Sequence, residues 1–478
     1  MSIVLADSLR AWWPELCLGL GALAVFLLGT AKSPRPAMTA AWLALLASAA
    51  ALTRVPVPPP TDLFFGLILC DPFSLAFRWI ALGAVAITLL LLMESPEILP
   101  SLRGESLGLL LSLGVGLMLM AEANHLLMAY VAMELVSLSS YLLVGFLSDA
   151  RSSEAAMKYL LIGALSSGLM LFGMSLLFGL TGQLAFPELA RAAADLQGPM
   201  QSALLVAVTF MLAGLAYKIS MVPFHLWTPD AYEGAPVAVT ALLSVGPKAA
   251  GLALLLRVMT VLQTAWPSLL PLMIGLTIAT MTLGNLVALL QTNVKRLLAY
   301  STIGQVGYLL IGFCVNTRLG LEAMLVYLVA YLFMNLGAFA CVLAVVNNTG
   351  SESVEAFRGL SRRAPGLALL CALFLLSLAG LPPLLGFFGK FLLFGSAIEA
   401  GHIGLALAAI VNSAIALYYY VNIIRQMYLL APQRTEAFTT APALRLALAV
   451  CAVVIVLVGL FPGPLLRLVG GSAVVNLL

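Results

Sequence analysis

Three lysines, Lys218, Lys248 and Lys390, stand inside long apolar stretches of a 478-residue chain. A lysine in the middle of a bilayer costs about 3 kcal/mol on insertion scales, so three of them require pairing or function. Each stands beside residues that break helices. Lys218 lies in "AGLAYKISMVPFHLW", five residues before Pro223; Lys248 follows Gly246 and Pro247 in "SVGPKAAG"; Lys390 follows Pro382, Pro383, Gly386 and Gly389 in "AGLPPLLGFFGKF". A helix broken inside the membrane frees carbonyls and amides, which is tolerated only where protein or water satisfies them. Such a site can house an ammonium. Burial disfavours the charged form of lysine, so a lysine there can gain and lose a proton near neutral pH, the chemistry of a relay. The competing reading is that these lysines snorkel from span ends or serve as structural partners.

Of twenty Asp and Glu, Glu134 in "LLMAYVAMELVSLSSYLLVGF" stands near the centre of a span. A carboxylate beside Lys218 would hold that lysine charged, and a change in their separation would alter its proton affinity by Coulomb interaction. Which lysine Glu134 meets is open, and a purely structural ion pair would satisfy it equally well. His225, after the break in "VPFHLWTPD", is a further candidate, an imidazole able to pass protons between Lys218 and Lys248; the alternative is a hydrogen-bonded loop histidine. Lys158, near the start of the sixth span, reads either as a loop lysine or as a further pair member near Glu134. Lys295 and Arg296 open the tenth span as anchors, and His125 and His402 fall at span ends.

The elements that must position these groups follow from composition. Hydrophobic residues make up 62% of the chain and charged ones 9%, against roughly a quarter charged in soluble proteins. An all-α membrane protein is expected. Apolar stretches of spanning length recur at about 12–30, 37–53, 72–93, 106–121, 125–147, 155–181, 201–222, 236–262, 268–290, 297–315, 320–346, 366–398, 403–430 and 443–465, fourteen in all. The first, behind Arg10, is read as a retained span rather than a signal peptide. An even count puts both termini on one side. Thirteen loop lysines and arginines fall in the odd-numbered loops and seven in the others, so the positive-inside rule places both termini outside; the Ala- and Leu-rich composition suits a bacterial inner membrane, which would make that side the periplasm. The net charge of +3 without a basic run gives no nucleic-acid surface, and the lipid bilayer is the medium. Two connections stand out. "RVPVPPPTD" (54–62) suits an extended external loop, and "FPELARAAADLQG" (186–198) a short surface helix with Pro187 in its first turn.

The segments around Lys218 and Lys390 share an "AGL" lead, a proline and a nearby lysine. Broken helices in corresponding places of two halves point to an inverted-repeat transporter. The six cysteines lack C-x-x-C spacing and read as small core residues, so no metal is expected. Three histidines without haem-binding pairs argue against a b-type haem. "GFFGKF" lacks the gap and following Ser or Thr of a phosphate loop. Energy must then come from an ion gradient or a partner.

Three strings carry a family resemblance: "KISMVPFHLWTPDAYEGAPVAVTALLSVGPKAAG" (218–251), "NVKRLLAYSTIGQVGYLLIG" (293–312) and "LAGLPPLLGFFGKF" (378–391). The chain resembles the subunit N family of bacterial NADH:quinone oxidoreductase, respiratory complex I, whose relatives include organellar subunit 2 and the Mrp-type sodium/proton antiporters. The resemblance implies about fourteen transmembrane helices with two inverted five-helix repeats, each containing a broken helix. It divides the chain into a three-helix segment 1–105, repeats at 106–262 and 263–430, and a last span in 431–478. It implies a proton relay of Glu134, Lys218, Lys248 and Lys390, with His225 near the first break. It further implies other membrane-arm subunits of complex I as partners and no cofactor in this chain, NADH, FMN, iron–sulfur clusters and quinone residing in partner subunits. "DAYEG" favours subunit N over the larger antiporter-like subunits, Lys390 differs from the glutamate of subunit M, and the length differs from that of subunit L. The alternative within the resemblance is an Mrp-like sodium/proton secondary antiporter subunit.

Overall fold

The computed structural model describes residues 2–30, 34–55, 61–432 and 438–472. The helices in chain order are α1 (Ser2–Ala11), α2 (Trp13–Gly29), α3 (Arg35–Leu52), α4 (Pro72–Met93), α5 (Arg103–Glu122), α6 (Leu126–Val144), α7 (Ala150–Thr181), α8 (Phe186–Ala194), α9 (Pro199–Ile219), α10 (Trp227–Gly234), α11 (Val237–Leu262), α12 (Trp266–Ala288), α13 (Val294–Val315), α14 (Arg318–Thr349), α15 (Leu360–Arg363), α16 (Pro365–Ala379), α17 (Leu385–Glu399), α18 (Ile403–Leu429), α19 (Pro442–Leu460) and α20 (Gly463–Ser472). Among the described residues, twelve helices are long and apolar enough to cross a membrane; α2 and α16 are apolar but shorter. The chain is a multi-pass, helical membrane protein.

Polar residues set the helix ends. Asp71 accepts from the Ser74 amide in a reciprocal capping box, Asn293 caps α13, and Thr317 caps α14. Left-handed residues Gly182, Asn316 and Gly350 close α7, α13 and α14. At 32 residues, α7 and α14 are each roughly 48 Å long, which exceeds the hydrocarbon thickness and requires tilt or extension beyond it.

The core centres on α11, which packs against α4, α5, α9 and α14, with α13 and α14 nearly as enclosed. The expected surface helix is present as α8, with Pro187 in its first turn and Phe186, Leu189 and Ala193 buried. The expected loop 54–62 falls partly on residues outside those described. At its end, β1 (Thr61–Leu63) pairs antiparallel with β2 (Ile68–Cys70), a short hairpin that departs from the all-α expectation.

Within the stretch 366–398 the chain breaks where Pro382 and Pro383 led one to expect: α16 ends at Ala379 and α17 starts at Leu385. Two further expectations are corrected. The break expected at Gly246 and Pro247 is absent, and α11 runs through both. Pro247 has no N–H for the Leu243 carbonyl, but the Tyr232 hydroxyl donates to that oxygen at 3.0 Å, so the helix continues without an orphaned acceptor. Gly386 and Gly389 likewise lie inside α17 rather than at a break. They allow close approach: a Cβ on Gly386 would meet the Ser377 carbonyl oxygen at 1.9 Å, and one on Gly389 would meet the Tyr327 ring at 2.6 Å.

Candidate functional site

The first break follows Lys218. Helix α9 ends at Ile219, Ser220 turns left-handed at φ 65°, and the chain runs through residues 221–226, including the cis Val222–Pro223 bond, before α10. Several groups freed by the break find partners within the protein. Met221 N donates to the Ala216 carbonyl at 2.8 Å, Trp227 Nε1 to the Tyr217 carbonyl at 3.0 Å, and Val222 N to Thr280 Oγ1 at 3.1 Å. Lys218 is fully buried, and its Nζ donates to Ser137 Oγ at 2.9 Å. Ser137 stands one turn beyond Glu134 on α6. Glu134 itself accepts from Ser167 Oγ of α7. Among the described residues no ion pair joins Glu134 to a lysine: Lys218 and Glu134 each take a serine partner instead, Ser137 and Ser167, and the Ser137 hydroxyl donates to the Met133 carbonyl.

Lys248 occupies the middle of α11 and is fully buried. Among the described residues its Nζ has no hydrogen-bond partner, and it lies 4.4 Å from the Trp227 ring centroid and 5.1 Å from that of Tyr232. Both rings belong to α10, the short helix beyond the first break. An ammonium over two aromatic faces in a dry site is held by their quadrupoles. Trp227 is itself fixed by stacking on Tyr159 at 4.1 Å and 11°.

At the second break, α16 ends with Gly380 at φ 90°, followed by the cis Pro382–Pro383 bond. Lys390 reaches back from α17, and its Nζ donates to the Leu378 carbonyl at 3.0 Å, the Ala379 carbonyl at 3.1 Å and Ser413 Oγ at 3.1 Å, 4.5 Å from the Tyr308 ring centroid. A cation there satisfies the last carbonyls of α16 and complements its dipole. One side opens to a cavity of about 440 Å³ lined by Phe387, Phe391, Phe394 and Ser413.

Neutral polar groups fill the space between Lys248 and Lys390. One turn before Lys248, Ser244 Oγ accepts from Asn335 Nδ2 at 2.5 Å, and its carbonyl from Tyr331 at 3.1 Å. The Tyr331 hydroxyl also reaches Thr302 Oγ1 at 3.0 Å. One turn on, Gln305 donates to the Tyr420 hydroxyl and the Leu378 carbonyl, each at 3.1 Å, and accepts from Tyr327; Tyr420 also meets Ser301. Sequence reasoning missed these groups because serine, threonine and tyrosine inside spans raise no alarm singly. Their recurrence on α13 and α14 was the available signal.

The conditional members fall outside the row. His225 is buried in the first break; among the described residues its Nδ1 has no hydrogen-bond partner, and no hydrogen bond joins it to Lys218 or Lys248. Lys158 is exposed and pairs with Glu154 at 2.8 Å and Asp230 at 3.1 Å, not with Glu134. Asp230 and Glu233 also hold Arg296 at 2.8 Å each, so an ionic cluster ties α10 to α7 and α13. Lys295 is buried, pairs with Glu352 at 2.5 Å and donates to the Ala235 carbonyl at 2.7 Å.

Two helices broken in mid-bundle, each flanked by a buried lysine, around a continuous helix carrying a third, define an antiporter-like transmembrane subunit. Residues 123–416 match the family described as "NADH:quinone oxidoreductase/Mrp antiporter, TM". The chain is 47% identical to NADH-quinone oxidoreductase subunit N 2 of Sorangium cellulosum, over 86% of each chain, and 39% identical to NADH-quinone oxidoreductase subunit N 2 of Rhizobium meliloti, over 96% of each. A chain of respiratory complex I from Thermus thermophilus superposes with a TM-score of 0.82 at 34% identity, over 96% of this chain and 100% of that one. The chain belongs to the subunit N family of NADH:quinone oxidoreductase.

Proposed function

We propose that this chain moves protons across the membrane along Glu134, Lys218, Lys248 and Lys390, as membrane subunit N of NADH:quinone oxidoreductase. The observation that carries the reading is Lys248: a fully buried ammonium site with no hydrogen bond among the described residues, on the unbroken helix that lies in chain order between the two broken ones, whose lysines are both hydrogen-bonded. With aromatic faces beside it and no hydrogen bond to a described residue, its charge state responds to the fields of its neighbours. The hydroxyls of Tyr331 and Thr302 can donate and accept, which suits proton passage toward the second repeat. The Leu378 carbonyl only accepts, so the exchangeable hydroxyl at Lys390 is that of Ser413.

Counting α2 and the split α16–α17 as crossings alongside the twelve long helices gives fourteen. The two inverted repeats would then run α5–α11 and α12–α18, and the matching left-handed residues Ser220 and Gly380, each with a proline three positions on, support that pairing. The excess of basic residues in odd-numbered loops supports periplasmic termini in a bacterial inner membrane. The redox steps, with NADH, FMN, iron–sulfur clusters and quinone, belong to partner subunits, and the energy reaches this chain through other membrane-arm subunits.

The alternative is a sodium/proton secondary antiporter working alone. A chain of the Mrp complex from Dietzia shares the fold with a TM-score of 0.82 at 23% identity, which speaks to the fold alone. Vesicle reconstitution separates the two readings. Proton movement that requires NADH and the assembled complex is expected; sodium-driven proton movement by this chain reconstituted by itself would favour the antiporter.

A further inference from the structure

A second buried ionic cluster lies apart from the lysine row, at the end of the bundle that carries the β1–β2 hairpin. It is built from the start of α2 (Glu15), the cap and first turns of α4 (Asp71, Arg78), the last residue of α5 (Glu122) and the later turns of α11 (Arg257). All five side chains are at least 97% buried. The two guanidinium forks are both taken. Arg78 meets Glu15 through Nε at 2.7 Å and Nη2 at 2.5 Å; Arg257 meets Asp71 through Nη1 and Nη2 at 2.7 Å each, and its Nε donates to the Ala121 carbonyl at 2.9 Å.

Glu122 is the third carboxylate beside two occupied forks. Arg78 Nε lies 3.1 Å from it, yet among the described residues neither of its oxygens receives a hydrogen bond. The charged and titratable groups around it are Arg78, Glu15, Arg257 and Asp71, with Cys70 Sγ 3.7 Å from Arg78. Three carboxylates and two guanidiniums leave one uncompensated negative charge in a dry site, which is expensive, whereas a neutral acid is not. Glu15 and Asp71 each have a bidentate guanidinium partner. Glu122 has none.

We propose that Glu122 is a second proton-holding site of this chain, a neutral carboxylic acid at the hairpin end of the bundle that is ionised only when an arginine fork becomes free. The release step is a proton transfer alone. If Arg257 leaves Asp71 for Glu122, the O–H bond of Glu122 breaks, its proton passes to Asp71 or water, and the guanidinium pairs with the new carboxylate. Arg257 rides on α11 nine residues after Lys248, about 13 Å along the same helix, so a shift of α11 would act on both. The protonation state itself does not depend on the lysine row pumping protons.

Infrared spectra of the assembled complex at neutral pH, in water and in heavy water, test this. The wild type should show a protonated carboxyl C=O band, shifted by deuterium, that is lost in Glu122→Gln. Asp71→Asn keeps a side chain able to cap α4 but frees the Arg257 fork, so Glu122 should ionise and the same band should be lost. Because an amide resembles the neutral acid, Glu122→Gln should assemble at wild-type levels. Wild type and Glu122→Gln spectra that superpose would overturn the proposal. So would a band that persists in Asp71→Asn, or an assembly defect in Glu122→Gln that Glu122→Asp lacks.

Discussion

The ammonium of Lys248 sits 4.4 Å from the ring centroid of Trp227, so the central helix and the helix beyond the first break meet through a charge on a π face. Cation–π contacts in desolvated sites contribute about 2 kcal/mol. Trp227→Phe keeps a ring but loses the Nε1 bond to the Tyr217 carbonyl; Trp227→Leu loses both. NADH-driven proton pumping in vesicles should fall modestly in the first and by roughly tenfold or more in the second. Equal rates in the two variants would mean that the ring face does not matter.

Ser137 is the hydrogen-bond partner of Lys218 and holds it one turn from Glu134. Removing a neutral partner of a charged group costs about 2 kcal/mol. Ser137→Ala should slow pumping several-fold at unchanged levels of assembled complex, and Ser137→Thr should restore most of the rate.

How much of this was legible beforehand follows from scarcity. Lysine is rare in apolar helices and is rarer still beside a proline, so Lys218 with Pro223 and Lys390 with Pro383 were conspicuous, and both mark real breaks. Pro247 looked alike but sits in an intact helix, because the hydroxyl that rescues Leu243 belongs to Tyr232, fifteen residues upstream of Pro247. Tertiary partners of this kind are invisible to local reading. Arg78, Arg257 and Glu122 stand near span ends, where charge is ordinary and singles nothing out, but folding brings those ends together and buries them. Lys158 was ambiguous for the opposite reason: its partner Asp230 is distant in sequence and lies on the exposed ionic cluster.

Lys390 occupies the carbonyl end of α16. Lys390→Met leaves the Leu378 and Ala379 carbonyls without the ammonium, at a cost of about 2 kcal/mol. A thermal midpoint several degrees below wild type is expected in detergent, with Lys390→Arg intermediate.

The loop carboxylate Glu352 offers a pH test outside the spans. Burial raises its proton affinity, but the Lys295 ammonium 2.5 Å away, with Asn293 and Arg151, more than offsets this and holds it below the usual carboxylate range. A group with a depressed folded-state pKa stabilises the fold above its unfolded value, about 4.3, and loses that contribution as pH falls through the folded value. The midpoint of unfolding should therefore drop on acidification below about pH 4. Glu352→Gln should be less stable by about 3 kcal/mol at neutral pH, since it strands buried Lys295, and should show a weaker acid-side loss. Parallel pH profiles for the two proteins would contradict the assignment.

The most direct measurement is NADH-driven quinone reduction and proton translocation by the assembled complex carrying Lys248→Ala. The chain's role as a relay predicts normal assembly with proton translocation sharply reduced. Quinone reduction and translocation both unchanged, in a complex assembled at wild-type levels, would contradict it.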